Sequence, residues 1–408
     1  MDINFDVIRE ASKTYGKTFY ILDSKQFEEN YNNLLGEFRK IYKNSYIAYS
    51  YKTNYTPKLC YMIDKLGGFA EVVSDMEANI ALKVGVKPSN IYFNGPYKNI
   101  NFVEKLLVDG GCVNVDSLKE MNQIVEIANK HKDSILNVGI RMNFDIEDGV
   151  VSRFGFDVES QDFLDCIKLI NETKNINLKG LHSHFASRDI KYWPNRIKNV
   201  CKLIDKHFPN NKFDYIDLGG GLFGNMKDSL KAQFSSYIPT YKEYAESVAI
   251  EFKNYFDKKD YKPMLFIEPG SALAGDCMKF VAEVHSIKDV RGKAIATLLG
   301  SIYNINPTLN KKNPPISVIA NGNKQSFYSN LDFGGFTCIE SDYLYRGFEG
   351  NLAVGDQILF ENVGSYSVVL KPPFILPNFP VLDLSNGIEV IKRQENFDDL
   401  FHTYKFDF

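Results

Sequence analysis

The chain of 408 residues has no apolar run near the roughly 20 residues that a membrane helix needs, so no span is expected. It also lacks any excess of positive charge, with 48 Lys and Arg against 51 Asp and Glu and a formal net charge of −3. A nucleic-acid binder held by counterion release needs a basic surplus, and that class is set aside. The six cysteines (60, 112, 166, 201, 277 and 338) include no C-x-x-C pair. Scattered thiols of this kind point to a reducing, cytoplasmic setting rather than a disulfide framework. The opening MDINFDVIREASKTYGK has no signal-peptide apolar stretch. Internal repeats, low-complexity tracts and Ser/Gly linkers are missing too. What remains is core-forming material: 44% hydrophobic and 14% aromatic residues exclude bulk disorder. The length suits two or three domains.

Eight short β-rich runs recur along the first two-thirds of the chain. They are SYIAYSYK (45–52), GFAEVVS (68–74), IYFNG (91–95), CVNVDS (112–117), ILNVGIRMN (135–143), LKGLHSHF (178–185), FDYIDLGGG (213–221) and MLFIEPG (264–270). Between them lie amphipathic segments such as DMEANIALKVG and SLKEMNQIVEIANKHKD. Alternation of strand and helix implies parallel strands, because parallel pairing needs a crossover. Eight such units over this length predict a (β/α)8 TIM-type barrel at 25–280; a doubly wound sheet is the rival. Beyond about residue 280 the texture becomes all-β. FVAEVHSIKDV, KAIATLLG, PISVIAN, QILFENV and YSVVLK are separated by Gly, Asn and Pro turns. A C-terminal β domain of 281–408 is therefore expected. Residues 1–24, with the run KTFYILD (17–23), are assigned to it.

A parallel barrel places its active site at the C-terminal ends of its strands. Those ends carry Lys52, Glu71, Asn94, Asp116, Arg141, His184, Gly219 to Gly221 and Glu268. Lys52 is either a surface lysine at a strand exit or an amine suited to Schiff-base chemistry. Gly219, Gly220 and Gly221 form either a plain turn or a bare-backbone loop that cradles a phosphate. A Rossmann reading fails, because the motif follows the seventh strand and not the first. His182 and His184 share one strand face. They read as a core histidine, a ring against a flat cofactor, or a metal pair lacking any motif for a third ligand. Glu268 caps a turn or holds a heterocyclic nitrogen protonated. Cys338 alone reads as a small buried hydrophobe.

Together these segments resemble the fold-type III pyridoxal-phosphate decarboxylases, the family of diaminopimelate and ornithine decarboxylases. AYSYKTN resembles the family's cofactor-lysine strand, and GFAEVVSDMEA its "FDVVSGGEL" segment. GLHSHFASR resembles "GIHFHIGSQ", YIDLGGGLFG the glycine-rich phosphate loop, and FIEPG the "EPGR" motif. TCIESDYL resembles the cysteine segment and NVGSYS the "NAGAY" segment. The matches keep their order from residue 45 to residue 367. The resemblance implies a barrel followed by a β domain, as in alanine racemases and these decarboxylases, with pyridoxal 5'-phosphate as cofactor. It further implies that Lys52 carries the cofactor as a Schiff base, that His184 stacks on its ring, and that Glu268 pairs with its pyridine nitrogen. Ser187 and the three glycines would bind phosphate, and Arg141 would orient polar groups near Glu71. Cys338, which would protonate the reacting carbon, and Tyr366, which would touch phosphate, would come from the partner of a homodimer with shared sites.

A carboxylate at position 268 keeps a pyridinium protonated and so makes an electron sink suited to CO2 loss. Alanine racemases resemble one another in an arginine there and an "AVVKANAYG" lysine strand; neither is present, which favours a decarboxylase over a racemase. A non-catalytic cofactor-binding barrel, the third reading, would lack the β domain. Four departures bear on the substrate. Ser271 stands at the arginine of "EPGR", Ile339 at the acid after the cysteine, and Ala186 at a glycine. GSIYNINPTL replaces the segment "RPALY". These point away from diaminopimelate and ornithine, toward a less polar or conjugated amino acid, with Glu340, Asp342 or Arg346 supplying specificity.

Overall fold

The computed structural model describes residues 4–408, which divide into two compact units. One comprises 28–223 and 236–272; the other comprises 4–27, 224–235 and 273–408. The segment 224–235, which the sequence reading leaves inside the barrel, thus belongs with the second unit. Among the described residues no helix is long and apolar enough to cross a membrane.

The first unit is a closed parallel barrel of eight strands. These are β1 (Ser45–Ser50), β2 (Phe69–Val72), β3 (Ile91–Phe93), β4 (Cys112–Val115), β5 (Leu136–Asn143), β6 (Ile176–His182), β7 (Tyr215–Asp217) and β8 (Met264–Ile267). Neighbours in sequence are neighbours in space, and closure comes from β8 pairing with β1, Leu265 beside Ser45. Closure rules out the doubly wound alternative. The strands are nearly continuous apolar runs because both faces are covered. Helices pack outside; Leu118–Lys130 is typical, with Ser117 capping it through Glu120 N and Met121, Ile124, Ile127 and Ala128 buried. Inside, Ala48, Tyr92, Cys112, Tyr215 and Phe266 fill one cluster. Tyr215 fits only because β5 and β6 offer glycines. A Cβ on Gly139 would lie 2.2 Å from its hydroxyl, and one on Gly180 2.5 Å from its ring.

The second unit is a mostly antiparallel sheet. Its strands are β9 (Met278–Val290), β10 (Lys293–Leu298), β11 (Ile316–Ile319), β12 (Ser326–Gly334), β13 (Tyr343–Leu352), β14 (Gln357–Phe360), β15 (Val381–Asp383) and β16 (Glu389–Lys392). The early strand Phe19–Leu22 joins it, antiparallel to β9 and parallel to β15. Helix Phe5–Tyr15, capped by Asn4, buries Ile8 and Ala11 against Phe19, Ile21, Val281 and Leu382. YSVVLK is not a strand. Tyr366 takes a left-handed φ of 62° and Ser367–Leu370 forms one helical turn, and Pro372 and Pro373 then block any ladder donor.

Candidate active site

All strand ends of the barrel open on one rim, and there the chain gathers its buried charge. Lys52 sits in the single turn Tyr51–Thr53 that follows β1. Its Nζ lies 2.6 Å from Oε2 of Glu71, the fully buried third residue of β2. Asn94, after β3, donates through Nδ2 to Glu71 Oε1 at 3.0 Å and to Glu268 Oε1 at 2.7 Å. Its own Oδ1 accepts from Asn114 Nδ2 at 2.7 Å. A polar chain therefore runs from Lys52 through Glu71 and Asn94 to Glu268, crossing the barrel mouth. Glu77, buried at the start of the next helix, accepts from Val73 N at 2.8 Å. Burial pushes its carboxyl up to about 7.

Glu268 is the other pole. His184 Nδ1 lies 3.1 Å from Oε2, and His182 Nε2 lies 3.2 Å from Oε1. The Gly220 amide also donates to His184 Nδ1, at 2.9 Å. One nitrogen cannot accept that bond and donate to Glu268 at once. Burial pushes the His184 ring down to about 4, so at neutral pH it is uncharged. The amide bond then fixes the tautomer with hydrogen on Nε2. His182 is also held neutral by burial, and neither of its nitrogens makes an aligned hydrogen bond. Asp217 closes this cluster. Burial and the adjacent Glu268 hold its carboxyl well above the ordinary range, so it keeps its proton while Glu268 stays ionised. The ligand-type atoms of His182, Asp217 and Glu268 fall within 4.8 Å of one another. The third group that motif reading could not find for a His182/His184 pair is thus present beside His182, supplied by other strands.

The glycine loop is packed too tightly for side chains. A Cβ on Gly219 would meet Ser183 O at 2.5 Å, on Gly220 Glu268 O at 2.5 Å, and on Gly221 Ser187 O at 2.8 Å. Gly219 and Gly221 also take positive φ, of 72° and 97°. Asp217 Oδ1 accepts from Gly219 N at 2.8 Å. Beneath the loop, the buried Arg196 donates to Leu218 O at 2.8 Å and Gly220 O at 3.2 Å. With those carbonyls engaged from below, the strand-to-loop turn is held as a bare-backbone cradle fit for a phosphate. Lys52, the Glu268 carboxylate, a neutral imidazole and this cradle together suit an aldehyde-bearing, phosphorylated pyridine.

Other expected site residues are placed differently. The Arg141 guanidinium contacts Asp116 Oδ1 at 3.4 Å and lies 4.7 Å over the Phe154 ring, so its observed partner is Asp116 and not Glu71. Ser187 Oγ accepts a long bond from Asp189 N, at 3.4 Å. Ser271 Oγ accepts from Arg188 Nη2 at 3.4 Å. Cys338, Ile339, Glu340, Asp342 and Tyr366 all belong to the second unit. Cys338 is exposed, against its reading as a buried hydrophobe, whereas the other cysteines are buried thiols. The Asp342 carboxylate is engaged within its own unit. It accepts from Ser301 Oγ, Ile302 N and Thr337 Oγ1 at 3.0, 2.7 and 2.7 Å and organises its own turn. Arg346 pairs with Asp332 at 2.9 Å. Sequence reading passed over Asp217 and Arg196. Their only signals are a charge inside the apolar run YIDL and an arginine on a helix face shared with Trp193, Ile197 and Val200.

Comparison with known proteins agrees with this chemistry. A family model described as "Pyridoxal-dependent decarboxylase, pyridoxal binding domain" matches residues 26–275, more than half the chain. A diaminopimelate decarboxylase of Methanocaldococcus jannaschii is 27% identical over 97% of this chain and 92% of its own. One from Aquifex aeolicus is 25% identical, over 96% and 92%. The crystal structure of the M. jannaschii diaminopimelate decarboxylase with L-lysine matches with a TM-score of 0.84 at 26% identity, covering 96% of this chain and 92% of that one. With a family model over more than half its length and relatives matched along nearly all of it, the chain belongs to the pyridoxal-dependent decarboxylases, carboxy-lyases that act on amino acids.

Proposed function

We propose that this enzyme decarboxylates an amino acid whose far end carries no free ammonium, such as one conjugated at that nitrogen. The observation that carries the reading is the half-buried, apolar Ile339 directly after Cys338, where the resemblance leads one to expect an acid. A site lacking that acid gains nothing from a distal ammonium and does not need one. The relatives' own substrate, diaminopimelate, is the second reading, favoured by their coverage of nearly the whole chain.

In this proposal Lys52 would hold the cofactor through its aldehyde carbon, and Glu71, 2.6 Å from Nζ, holds the free amine in place at the barrel mouth. Glu268 stays ionised and would keep a proton on the pyridine nitrogen, and the neutral His184 would offer its ring face to the cofactor. The glycine loop and Ser187 take the phosphate. Bound pyridoxal phosphate supplies the electron sink that accepts the pair left behind as CO2 departs. Cys338 would supply the proton that takes the place of the lost carboxylate, and Tyr366 would help hold the phosphate. Both act on the barrel of a second copy, so the working form is a homodimer in the cytoplasm, a compartment suited to six thiols with no disulfide among the described residues.

Carbon dioxide release is measured for meso-diaminopimelate, lysine, ornithine and a panel of N-acylated diamino acids. A conjugated substrate should exceed meso-diaminopimelate in kcat/KM; a value for the free diamino acid near roughly 10⁴ M⁻¹s⁻¹, typical of a working enzyme, refutes the reading. Mixing inactive Lys52→Ala and Cys338→Ala subunits should recover activity, since one hybrid site retains both groups. No recovery despite demonstrated subunit exchange would place each complete site within one chain.

A further inference from the structure

Beside the glycine cradle stands a cation with no assigned task. Arg188 is half-buried, and among the described residues no carboxylate pairs with it. Among the described residues its one side-chain hydrogen bond is the long one to Ser271 Oγ at 3.4 Å. The neighbouring Asp189 is engaged elsewhere, with Lys191 at 3.0 Å. A guanidinium carries five N–H donors, so most of its capacity is unused here. Nor is it a mobile surface group. Its plane lies 5.3 Å over the Phe223 ring. Tyr244 donates its hydroxyl hydrogen to Arg188 O at 3.1 Å and accepts from Phe223 N at 3.2 Å. One buried tyrosine thus ties the arginine's backbone to the residue its head group lies on. The preceding residue, Ser187, packs its carbonyl against Gly221, the last glycine of the cradle.

A preorganised, unpaired guanidinium next to bare backbone N–H groups and a serine hydroxyl is a receptor for planar or tetrahedral oxyanions. The position it leans on is Ser271, where the family resemblance leads one to expect an arginine. The charge missing from that position is therefore present a few ångströms away, on a different loop. We propose that Arg188, with the Ser271 hydroxyl, binds an anionic oxygen group in this active site: the cofactor's phosphate or a carboxylate on the far end of the substrate. The inference rests on the cofactor assignment, and it predicts that positions 188 and 271 exchange one positive charge.

Two ratios distinguish the sources. For the phosphate, apoenzyme is titrated with pyridoxal phosphate and with pyridoxal, and the ratio of the two affinities is compared between the unmodified protein and Arg188→Gln. For the carboxylate, holoenzyme is titrated spectroscopically with diaminopimelate and with lysine, which lacks the second carboxylate. A hydrogen-bonded charge contributes enough for a fall of roughly 10- to 100-fold in whichever ratio Arg188 serves. The double variant Arg188→Gln/Ser271→Arg should recover that ratio. If Arg188→Gln does not fold, Arg188→Lys is read on the same ratios, with a smaller fall expected because the fork geometry is lost. Both ratios unchanged would overturn the inference. Failure of the unmodified protein to bind pyridoxal phosphate would instead strike at the cofactor assignment.

Discussion

Replacing Asn94 by leucine tests whether the polar chain across the barrel mouth is held by one amide. Asn94 is 2% exposed, so none of its bonds can be replaced by bulk water. The substitution removes two N–H bonds to carboxylates, at 3.0 and 2.7 Å, and one acceptor used by Asn114 at 2.7 Å. Hydrogen bonds to charged groups contribute about 1.5–3 kcal/mol each, so the two donated bonds total about 3–6 kcal/mol. The stranded Asn114 donor adds to the loss, while the new apolar side chain offsets about 1–2 kcal/mol. A net loss of about 4 kcal/mol corresponds to a fall of roughly 8–16 °C in the melting midpoint of a domain of this size. The single tryptophan makes the assay selective: Trp193 is fully buried on a barrel helix, so its emission follows the barrel alone. Asn94→Asp, which adds a third carboxylate at the same point, should be more damaging at pH 8 than at pH 5. A midpoint within about 1 kcal/mol of the unmodified protein for Asn94→Leu would show that the carboxylates do not depend on this bridge.

Three further outcomes follow from the same geometry. Burial raises Glu77 to about 7, so the folded protein holds this proton more tightly than the unfolded chain does. The stability it contributes is therefore complete below pH 4.5 and is lost as pH rises toward 7, by up to about 3 kcal/mol. Glu77→Gln should flatten the denaturation midpoint between pH 5 and 8; an unaltered slope counts against the shift. Gly220→Ala places a methyl 2.5 Å from Glu268 O, and should weaken pyridoxal phosphate binding by at least tenfold, about 1.4 kcal/mol, as read by titration of the apoenzyme. Unchanged affinity would mean that the loop yields freely. Gly139→Ala drives a methyl to 2.0 Å from Asn114 Oδ1; overpacking should cost about 1–3 kcal/mol or more in the tryptophan-detected midpoint, and no loss would mean that Tyr215 can move.

Much of the barrel is legible in sequence because its strands are apolar on both faces and its crossovers are helices with ordinary caps. All eight strand runs found by composition are strands in the structure; most are trimmed at their ends, and the sixth begins two residues earlier, at Ile176. The second unit is harder. Strands β12 and β13 form its longest hairpin, yet their residues are mostly exposed or half-buried at the outer ends, so no alternation of apolar and polar residues marks them. YSVVLK fails in the opposite sense. Its β-branched residues suit a strand, but the left-handed Tyr366 before them and two prolines after them leave room for one helical turn. Helix Phe5–Tyr15 carries a cap and an apolar face in its sequence, but it lies outside the strand–helix alternation that marks the barrel.

The active site divides along the same physical line. Residues at strand ends could be placed on one rim by counting, since parallel strands present all their C-terminal ends together. Their states could not be counted. Glu71, Asp217 and Glu268 are three buried acids within one barrel mouth, and sequence gives each the same charge. Only geometry separates them: Glu71 has Lys52 at 2.6 Å, Glu268 has Asn94 at 2.7 Å, and Asp217 has the ionised Glu268 beside it and one backbone amide. Two acids this close cannot both ionise in a buried site, and the less well solvated one keeps its proton. Arg188 follows from the same argument with the sign reversed. A substitution at position 271 reads, in sequence, as a charge deleted from the site. In space the guanidinium of another loop stands 3.4 Å from Ser271 Oγ with most of its donors unused, which is why we propose that the charge is relocated and that an anion there would be oriented from a different wall of the barrel.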